Sequence, residues 1–433
     1  MATGSSGGSL HLFRDREFLA LASTAFARAQ AYSTILIALA LYADMFDTTG
    51  TVEGLFGTAF AAIQLIIVLP MGRWIDLNNS KRFLLLGLVL NVVVFFGFSL
   101  VGTVEHVIFM RVVQGLGASI LWITGSAVVG EISPDDSRGL WLGTYNQVGA
   151  FSSLAGDVFG GLLLYVYGFQ VTYAVLIVVT TFATFMVFLN LRDNPGGQAD
   201  PDEATGMETF KNLLDRAAIR ALVVFRLAFS VGKMAVIIFL PIYARTEFGI
   251  NPFAIGGILA GGKLTKSILQ GKVGDITDQY GTYHRFIFVG ALIYGVGTAL
   301  IPLAEFAHLV FPSVTLGAFG SAMTLPPAFF SLFLAYGVLG VGDSFRLPAS
   351  MTLFVEEGEY YDAVAGSMSL RSIAWKIGQV SGPVAVGFIW DQTSVFGAFW
   401  TAAGFLVLSS AIFLVLYRSE PAPENALNAT ASD

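Results

Sequence analysis

The chain has 433 residues, of which 55% are hydrophobic and only 12% charged, and its formal net charge is −7. Soluble domains carry about 25% charged residues, so this composition excludes an ordinary soluble protein and indicates one that crosses a membrane many times. Cysteine is absent, which excludes disulfides, a thiolate nucleophile and Cys-ligated metal. The polar stretch before Glu17 lacks the features of a signal peptide, so we expect the first apolar run to be an uncleaved span.

Apolar runs of spanning length follow one another along the chain, six on each side of a polar linker. About 20 apolar residues are needed to cross a ~30 Å hydrocarbon layer at ~1.5 Å per residue. The runs begin near Leu19, Gly54, Phe83, His106, Gly139 and Phe169, and then near Ala221, Pro252, Arg285, Phe329, Val364 and Val395. The pattern predicts an all-α polytopic membrane protein with a six-helix bundle over 1–191, a linker over 192–217, a second bundle over 218–418 and a disordered tail over 419–433.

The linker contains Asn194-Pro-Gly-Gly and Asp200-Pro-Asp-Glu, which no packed core would accommodate. Its end, residues 207–221, places apolar residues at helical spacing: Phe210, Leu213, Leu214, Ala217 and Ala218. This spacing predicts a helix that lies on the membrane surface before the seventh span.

Basic residues are concentrated in the loops on one side of the predicted membrane. If both termini are inside, the cytoplasmic residues are Arg14, Arg16, Arg73, Lys81, Arg82, Arg138, Arg192, Lys211, Arg216, Arg220, Lys272, Arg285 and Arg418. Only Arg245 then falls in an outer loop. Because cytoplasmic loops carry the excess of Lys and Arg, the pattern predicts a multi-pass cell-membrane protein with both termini cytoplasmic.

Two polar loops share one pattern. Gly72-x-x-x-Asp76 with Lys81 and Arg82 joins spans two and three, and Gly274-x-x-x-Asp278-x-x-Gly281 joins spans eight and nine. Internal duplication is how many transporters are built. We expect each loop to hold helix ends together, since Gly72 allows close approach and Asp76 can accept backbone N–H groups or an arginine. The alternative is a solvated hairpin with incidental charge.

These loops resemble a motif of the major facilitator superfamily, and the resemblance covers essentially the whole chain. Arg111-Val-Val-Gln-Gly-Leu-Gly117 resembles the family's span-four motif, and Glu131-x-x-Pro134-x-x-x-Arg138-Gly139 resembles the loop after it. Asn79 stands where the family usually has a second glycine, whereas the second loop keeps that glycine as Gly281. The resemblance implies a twelve-span secondary transporter with two pseudo-symmetric six-helix bundles and no cofactor.

The fifth span contains Ser152-x-x-x-Gly156-Asp157-x-x-Gly160-Gly161, and the eleventh repeats this spacing in Gly378-x-x-x-Gly382-Pro383-x-x-Val386-Gly387. The first of these resembles the motif of the family's drug:proton antiporter branch, with Ser152 replacing a glycine and Asp157 replacing the proline. Small residues four apart let helices pack backbone to backbone, so packing without a functional meaning is the alternative.

Charged residues inside the apolar runs are the main candidates for function. They are Arg28, Arg111, Asp157, Arg226, Lys233, Lys263, Lys266, Asp343, Arg346, Arg371 and Lys376. Each would cost roughly 2.5 kcal/mol or more at the bilayer centre, so we expect each to face a partner or a wet cavity. Snorkelling towards the cytoplasmic interface is the alternative for Arg226, Arg346 and Arg371.

Cations predominate in this set, which favours an anionic solute because a cavity for cationic drugs needs carboxylates on the first helices. The predicted substrate-binding or coupling residues are Arg28, Arg111, Asp157, Arg226, Lys233, Lys263, Asp343, Arg346 and Lys376. We expect Arg28, Lys233, Lys263 and Lys376 to face a central cavity. We also expect Arg111 to pair with Asp157, either to couple a proton or as a permanent structural pair. Aromatic residues could line an amphipathic pocket: Tyr32, Trp122, Tyr145, Phe229 and Trp375.

Other classes of function have no support in the sequence. The histidines His11, His106, His284 and His308 have no metal-ligand spacing, and no nucleophile elbow is present, so no catalytic or metal site is expected. A basic soluble domain for nucleic acid and a channel filter are also missing from the sequence. The expected function is alternating-access transport of a small anionic or amphipathic organic solute by a monomer in membrane lipid. Proton-coupled export by antiport is favoured, and the alternatives are proton-coupled uptake of an organic anion and multidrug efflux.

Overall fold

The computed structural model describes residues 9–134, 137–195, 207–318, 321–360 and 363–417. The predicted tail over 419–433 and residues 196–206 of the predicted linker lie outside these residues. The helices before the linker are α1 (Arg16–Phe46), α2 (Gly50–Leu77), α3 (Ser80–Ser99), α4 (Val104–Ile132), α5 (Arg138–Ala155) and α6 (Gly161–Asn190). The helices after it are α7 (Met207–Asp215), α8 (Ala217–Met234), α9 (Leu240–Thr246), α10 (Pro252–Tyr280), α11 (Tyr283–Leu300), α12 (Pro327–Glu359), α13 (Val364–Gln392) and α14 (Val395–Leu416).

The helix α7, of 9 residues, is too short to cross a membrane, and the other helices form the twelve predicted spans. Two breaks show how these helices correspond to spans five, six and seven. A π-turn at Gly156–Gly160 joins α5 to α6, and Gly168, with φ of 72°, divides the continuous segment into spans five and six. A second π-turn at Ala235–Phe239 joins α8 and α9 into span seven. Helices dominate because a spanning segment must satisfy its own backbone hydrogen bonds in lipid. The twelve-span prediction is confirmed.

Within the described residues, nine segments are both long enough and apolar enough to cross a membrane. One of them, Arg138–Asn190, has 53 residues and therefore holds two spans. The helices α10 and α13, of 29 residues each, are also of spanning length. Charged residues inside α10 and α13 lower the mean hydropathy of these two helices, so hydropathy alone does not identify them as spans.

A 3₁₀ helix and a β-hairpin, neither of them predicted, lie between α11 and α12. The 3₁₀ helix is Ile301–Leu309, and the strands are β1 (Val314–Ala318) and β2 (Ser321–Leu325). The strands are antiparallel, with Val314 opposite Leu325 and Ala318 opposite Ser321. In the sequence, Thr315 alternates with apolar neighbours, which is a pattern typical of a strand. In so apolar a chain, a short pattern of this kind cannot be distinguished from the end of a membrane span.

The chain divides into two units. Unit 1 comprises Met1–Thr48, Ala59–Glu203 and Gly249–Gly257, and unit 2 comprises Thr49–Thr58, Ala204–Phe248 and Ile258–Asp433. Each unit therefore includes the first turns of one helix whose remainder belongs to the other unit, α2 in one case and α10 in the other. The domain boundaries expected from the sequence remain predictions.

Unit 1 has its core around α1. Phe18 and Leu21 are fully buried against apolar residues of neighbouring helices, including Leu88 and Val187. Near the other end of α1, the Tyr42 and Tyr173 hydroxyls lie 2.9 Å apart, and the ring of Phe169 stacks on that of Tyr42 with centroids 4.6 Å apart. In lipid, close van der Waals packing and interhelical hydrogen bonds of this kind hold helices together, so this core is a rigid frame for the polar residues between its ends.

Candidate functional site

Three charged residues of unit 2 meet in the interior, and we call Lys233, Asp343 and Arg346 the charge triad. The Arg346 Nη2 donates a hydrogen bond of 2.7 Å to Asp343 Oδ1, and the Lys233 ammonium forms an ion pair with Asp343 Oδ2. Arg346 is 1% exposed and Asp343 is 7% exposed. Both carboxylate oxygens are therefore engaged by cations, as a buried carboxylate requires.

Glycines place the triad by letting helix backbones approach. A Cβ at Gly290 of α11 would lie 2.6 Å from the backbone nitrogen of Arg346, and one at Gly342 of α12 would lie 2.7 Å from the carbonyl oxygen of Gly290. A Cβ at Gly340 would lie 3.2 Å from the backbone nitrogen of Lys266, so α10 also approaches α12 here. Small residues at these interfaces thus bring Lys266 of α10 within electrostatic range of Asp343 on α12.

Aromatic rings cover the cations of the triad. The guanidinium carbon of Arg346 lies 4.0 Å from the ring centroid of Phe229, and Lys233 Nζ lies 5.0 Å from that of Tyr294. The rings of Phe229 and Tyr294 meet edge to face at 5.2 Å. Because a ring face attracts a cation, these contacts offset part of the cost of burying two positive charges.

Arg226 lies two turns before Lys233 on α8, which places both on the same side of the helix. Its guanidinium carbon is 4.3 Å from the ring of Trp375 on α13. Ser230 Oγ donates to the Trp375 carbonyl at 2.8 Å, and this bond fixes α8 against α13 beside the arginine. Arg226 is within electrostatic range of Asp343, Arg346 and Arg371.

We call Arg226, Lys233, Asp343, Arg346 and Arg371 the cationic cluster, in which four cations accompany a single carboxylate. Five buried guanidinium nitrogens of this cluster have no hydrogen-bond acceptor within the part of the chain that the structure describes: Nε and Nη1 of Arg226, Nε and Nη1 of Arg346, and Nε of Arg371. Buried donors are normally paired, and buried charge is normally compensated. The cluster therefore has both the charge and the donors to bind an anion.

Two predicted arginines lie in unit 1. The guanidinium carbon of Arg28 lies 4.6 Å from the Trp122 ring, and a Cβ at Gly149 would lie 3.9 Å from its Nη2. Arg111 is fully buried, donates from Nη1 to Gln114 Oε1 at 2.6 Å, and lies 4.3 Å from the ring of Phe60. Both are stabilised by an aromatic face, and Arg111 in addition by a neutral amide.

Asp157 is fully buried in the π-turn of unit 1. The turn packs against α1, where Thr34 Oγ1 donates to the Gly156 carbonyl at 3.2 Å. π-turns are frequently found at functional sites, so the location suits a residue with a role in transport. One nitrogen of Arg111 contacts Gln114, and the pairing of Arg111 with Asp157 stays a prediction.

A family model described as Major Facilitator Superfamily matches residues 21–329. The chain belongs to this superfamily. It is similar to Multidrug resistance protein 1 of Bacillus subtilis (strain 168), 24% identical over 352 residues, which cover 79% of this chain and 82% of that protein. It is also similar to Multidrug resistance protein 2 of the same organism, 22% identical over 420 residues, which cover 95% of this chain and 97% of that protein.

A solved structure supports the same fold. The crystal structure of a bacterial homolog to the human lysosomal transporter Spinster, inward-facing and unoccupied, has a TM-score of 0.75 at 16% identity. The similarity covers 97% of this chain and 100% of that one. This superfamily member is therefore a membrane-embedded transporter and not an enzyme, as the sequence predicted.

The loop motifs of this superfamily member are more helical than predicted. Gly72 and Asp76 lie in the last two turns of α2, so the link to α3 is only Asn78 and Asn79. Gly274 and Asp278 likewise lie in the last turns of α10. The expected polar loops were too long, because a helix in a membrane extends beyond its apolar run into the polar interface. The side chain of Asp76 lies outside the part of the molecule that the structure describes.

The link between α2 and α3 and the link between α10 and α11 use different residues at the helix boundary. Asn79 is the N-cap of α3, with its Oδ1 accepting from Lys81 N at 3.0 Å and Asn194 N at 3.2 Å. Gly281 instead has φ of 61°, a left-handed conformation that glycine adopts at little cost. Arg82 is exposed at the start of α3. Lys81 Nζ is 3.7 Å from an exposed carboxylate oxygen of Asp193, so the proposed role in holding helix ends stays a prediction.

Lys263 and Lys376 are half-buried, on α10 and α13 respectively. Their convergence with Arg28 and Lys233 on one cavity stays a prediction. The ion pair of Lys233 with Asp343 was not anticipated from the sequence, although Asp343 and Arg346 are three residues apart and share a helix face.

Two further polar contacts of unit 2 were missed. Arg216, predicted to be a cytoplasmic loop residue, is instead the buried N-cap of α8 and forms an ion pair with Glu357 beside the ring of Tyr360. Asp391 accepts hydrogen bonds from the backbone of Gly50 at 2.7 Å and of Thr51 at 2.8 Å. A carboxylate at a helix N-terminus binds its free N–H groups, but the sequence gives no sign of a cap from so distant a residue.

Proposed function

We propose that this chain is a secondary active transporter whose solute is a small organic anion with an aromatic or apolar part, bound at the cationic cluster of unit 2. The observation that carries the proposal is that five buried guanidinium nitrogens of this one cluster have no acceptor among the described residues. A carboxylate or sulfonate oxygen would satisfy these donors and offset the surplus positive charge. Arginine suits the task because its planar guanidinium matches the two oxygens of such a group.

The aromatic rings of the cluster support an amphipathic solute. Trp375, Phe229 and Tyr294 lie against the cations, within 4.3, 4.0 and 5.0 Å of the nearest charged group. Binding sites for small molecules combine an apolar lining with a few placed polar groups. An anion attached to a ring would use both features, whereas a small inorganic anion would use only one.

We also propose that transport is coupled to protons in the cell membrane, by a monomer with both termini cytoplasmic. The asymmetry of basic residues supports the orientation. The chain has no cysteine, so Ala199→Cys introduces a single thiol in the linker. Labelling by an impermeant maleimide is expected only after the cells are permeabilised. Labelling of intact cells would overturn the orientation.

Multidrug efflux is the second candidate, because two similar proteins are named for multidrug resistance. Export of lipophilic cations would need an accessible carboxylate in the binding site. The carboxylate of the cationic cluster, Asp343, already contacts Lys233 and Arg346. The charge of this cluster therefore favours anions over cations.

Ligand-induced thermal stabilisation of the purified protein separates these candidates. The panel is benzoate and benzenesulfonate as anions, benzamide as the neutral analogue of benzoate, and tetraphenylphosphonium as a lipophilic cation. A ligand at about 100 times its Kd adds roughly 2.7 kcal/mol to the free energy of unfolding. We expect stabilisation by the two anions and none by benzamide. Stabilisation by tetraphenylphosphonium alone would favour efflux of cations.

A matched pair of variants tests the location. Arg226→Gln removes a buried arginine of the cluster, and Arg220→Gln removes an exposed arginine of the same helix, α8. We expect the stabilisation by benzenesulfonate to be reduced to about half in the first variant and retained in the second. Equal stabilisation of both variants would place the anion elsewhere.

A further inference from the structure

The cationic cluster has at least two positive charges more than its carboxylate compensates. Arg226, Arg346 and Arg371 come from three helices of unit 2, α8, α12 and α13, and lie within electrostatic range of one another. An arginine keeps its charge in any protein environment. Asp343 supplies one negative charge, so the three guanidinium groups exceed it by two positive charges before Lys233 is counted. A bound monoanion would leave one of these charges uncompensated, whereas a dianion would compensate both.

The donors of Arg226 also exceed what one acidic group can accept. Its Nε and Nη1 are buried and have no acceptor in the described part of the chain. In a planar guanidinium, the N–H groups of Nε and Nη1 do not share an edge, so one carboxylate or sulfonate cannot bind both in the bidentate manner. Arg226 is within electrostatic range of Arg346 and of Arg371. It therefore has donors for one acidic group shared with Arg346 and for another shared with Arg371.

Arg371 is positioned to bind the second of these groups. It precedes Trp375 by one turn of α13, so the two side chains lie on the same side of the helix and are offset by about 6 Å. The ring of Trp375 lies 4.3 Å from the guanidinium carbon of Arg226. Arg371 is half-buried, and its Nε is buried without an acceptor among the described residues. Snorkelling towards water would leave this nitrogen solvated, so snorkelling alone does not account for Arg371.

We propose that the solute of the cationic cluster is a dianion, and that Arg371 selects dianions over monoanions by binding the second acidic group. The first acidic group lies between Arg226 and Arg346, and the second lies between Arg226 and Arg371, about one helical turn away. Two acidic groups in meta positions of one aromatic ring have a comparable separation. This inference rests on the function proposed above and narrows the class of solute from organic anions to organic dianions.

A comparison of three ligands on the wild-type protein tests the charge of the solute. Purified protein is titrated by calorimetry with benzene-1,3-disulfonate, benzenesulfonate and 3-sulfamoylbenzenesulfonate at one constant ionic strength, because salt screens charge. The third compound keeps the size and shape of the disulfonate but has a neutral sulfonamide in place of the second sulfonate. We expect the disulfonate to bind about 10-fold more tightly than either monoanion, because hydrogen bonds to charged groups are the strong ones.

Arg371→Gln tests where the second group binds. We expect the ratio of the disulfonate affinity to the benzenesulfonate affinity to fall from about 10 in the wild type to about 2 in this variant. A purely structural role of Arg371 would weaken both ligands by the same factor and leave the ratio unchanged. The control is Arg285→Gln, which removes an exposed arginine of α11 and is expected to keep the wild-type ratio. If Arg371→Gln does not fold, Arg371→Met, which also lacks the charge, takes its place.

Three outcomes would overturn the inference. Equal affinities of the wild type for benzene-1,3-disulfonate and 3-sulfamoylbenzenesulfonate would exclude a dianion site and leave the proposed anion function standing. A preference for the disulfonate that persists in Arg371→Gln would show that another residue binds the second group. If the wild type bound none of the three sulfonates, the proposed anion function would fail and this inference with it.

Discussion

The two units stabilise buried arginines in different ways. In unit 1, Arg28 lies against Trp122, and Arg111 lies against Phe60 and donates to the neutral amide of Gln114. In unit 2, Arg346 and Lys233 converge on the carboxylate of Asp343, with Arg226 nearby. A ring face can support a single arginine, but several cations close together need an anion. The comparison supports the proposed anion site in unit 2, where four cations surround one carboxylate.

The largest effect is expected from removing the carboxylate of the charge triad. Asp343→Ala leaves Lys233 and Arg346 buried without their counter-ion, and breaking such a pair typically costs about 3–5 kcal/mol. Thermal unfolding of the purified protein measures the loss. The double variant Lys233→Met/Asp343→Ala also removes the cation, and we expect it to be more stable than Asp343→Ala if the two residues form a buried ion pair. A loss as small as that of an exposed carboxylate would contradict the central role of Asp343 in unit 2.

The next effect concerns anion affinity and compares one arginine from each unit. Arg226→Gln removes donors from the cationic cluster and is expected to weaken benzenesulfonate binding about 10-fold, equivalent to about 1.4 kcal/mol. Arg28→Gln removes the corresponding arginine–tryptophan contact of unit 1 and is expected to weaken binding less. Titration of both variants by isothermal calorimetry decides the order. Equal losses would mean that anion binding does not distinguish the units.

A glycine of α12 offers a smaller and purely steric test. A Cβ at Gly342 meets the backbone of Gly290 at 2.7 Å, so Gly342→Ala is expected to push α12 from α11, destabilise by about 1–3 kcal/mol and weaken anion binding. Gly337→Ala on the same helix is the control, because a Cβ there has nothing within 4 Å. Thermal unfolding compares the two. An equal loss in both variants would mean that the close contact with Gly290 is not its cause, since Gly→Ala by itself favours a helix.

The smallest effect is expected from the aromatic partners. Trp375→Leu removes the ring beside the buried Arg226, and cation–π contacts range from about 0.5 kcal/mol when exposed to about 2 kcal/mol when desolvated. Trp122→Leu removes the matching ring in unit 1, where Trp122 is 54% exposed, and should cost less. Chemical denaturation in detergent measures both. The reverse order would show that burial does not govern these contacts.

Much of the fold was accessible from the sequence. The twelve spans, the charged residues inside them and the family resemblance follow from hydropathy and short motifs, which are properties of single segments. The i, i+3 contact between Asp343 and Arg346 could also be anticipated from helical spacing. The ends of the helices were predicted less well. The expected loop began at Gly72, whereas α2 continues to Leu77.

Only the tertiary structure decided which charges meet. Lys233 and Asp343 are 110 residues apart, and Gly50 and Asp391 are 341 residues apart. Their contacts depend on which faces of distant helices pack together, and small residues such as Gly50 and Gly387 set that packing where α2 meets α13. Hydropathy places a charge in the membrane. It does not show whether a carboxylate or an aromatic ring lies beside that charge, or whether its hydrogen-bond donors lack an acceptor. The sequence alone determined that the chain is a membrane protein with costly buried charge, and the packing of α8, α11, α12 and α13 decided where that charge is in excess.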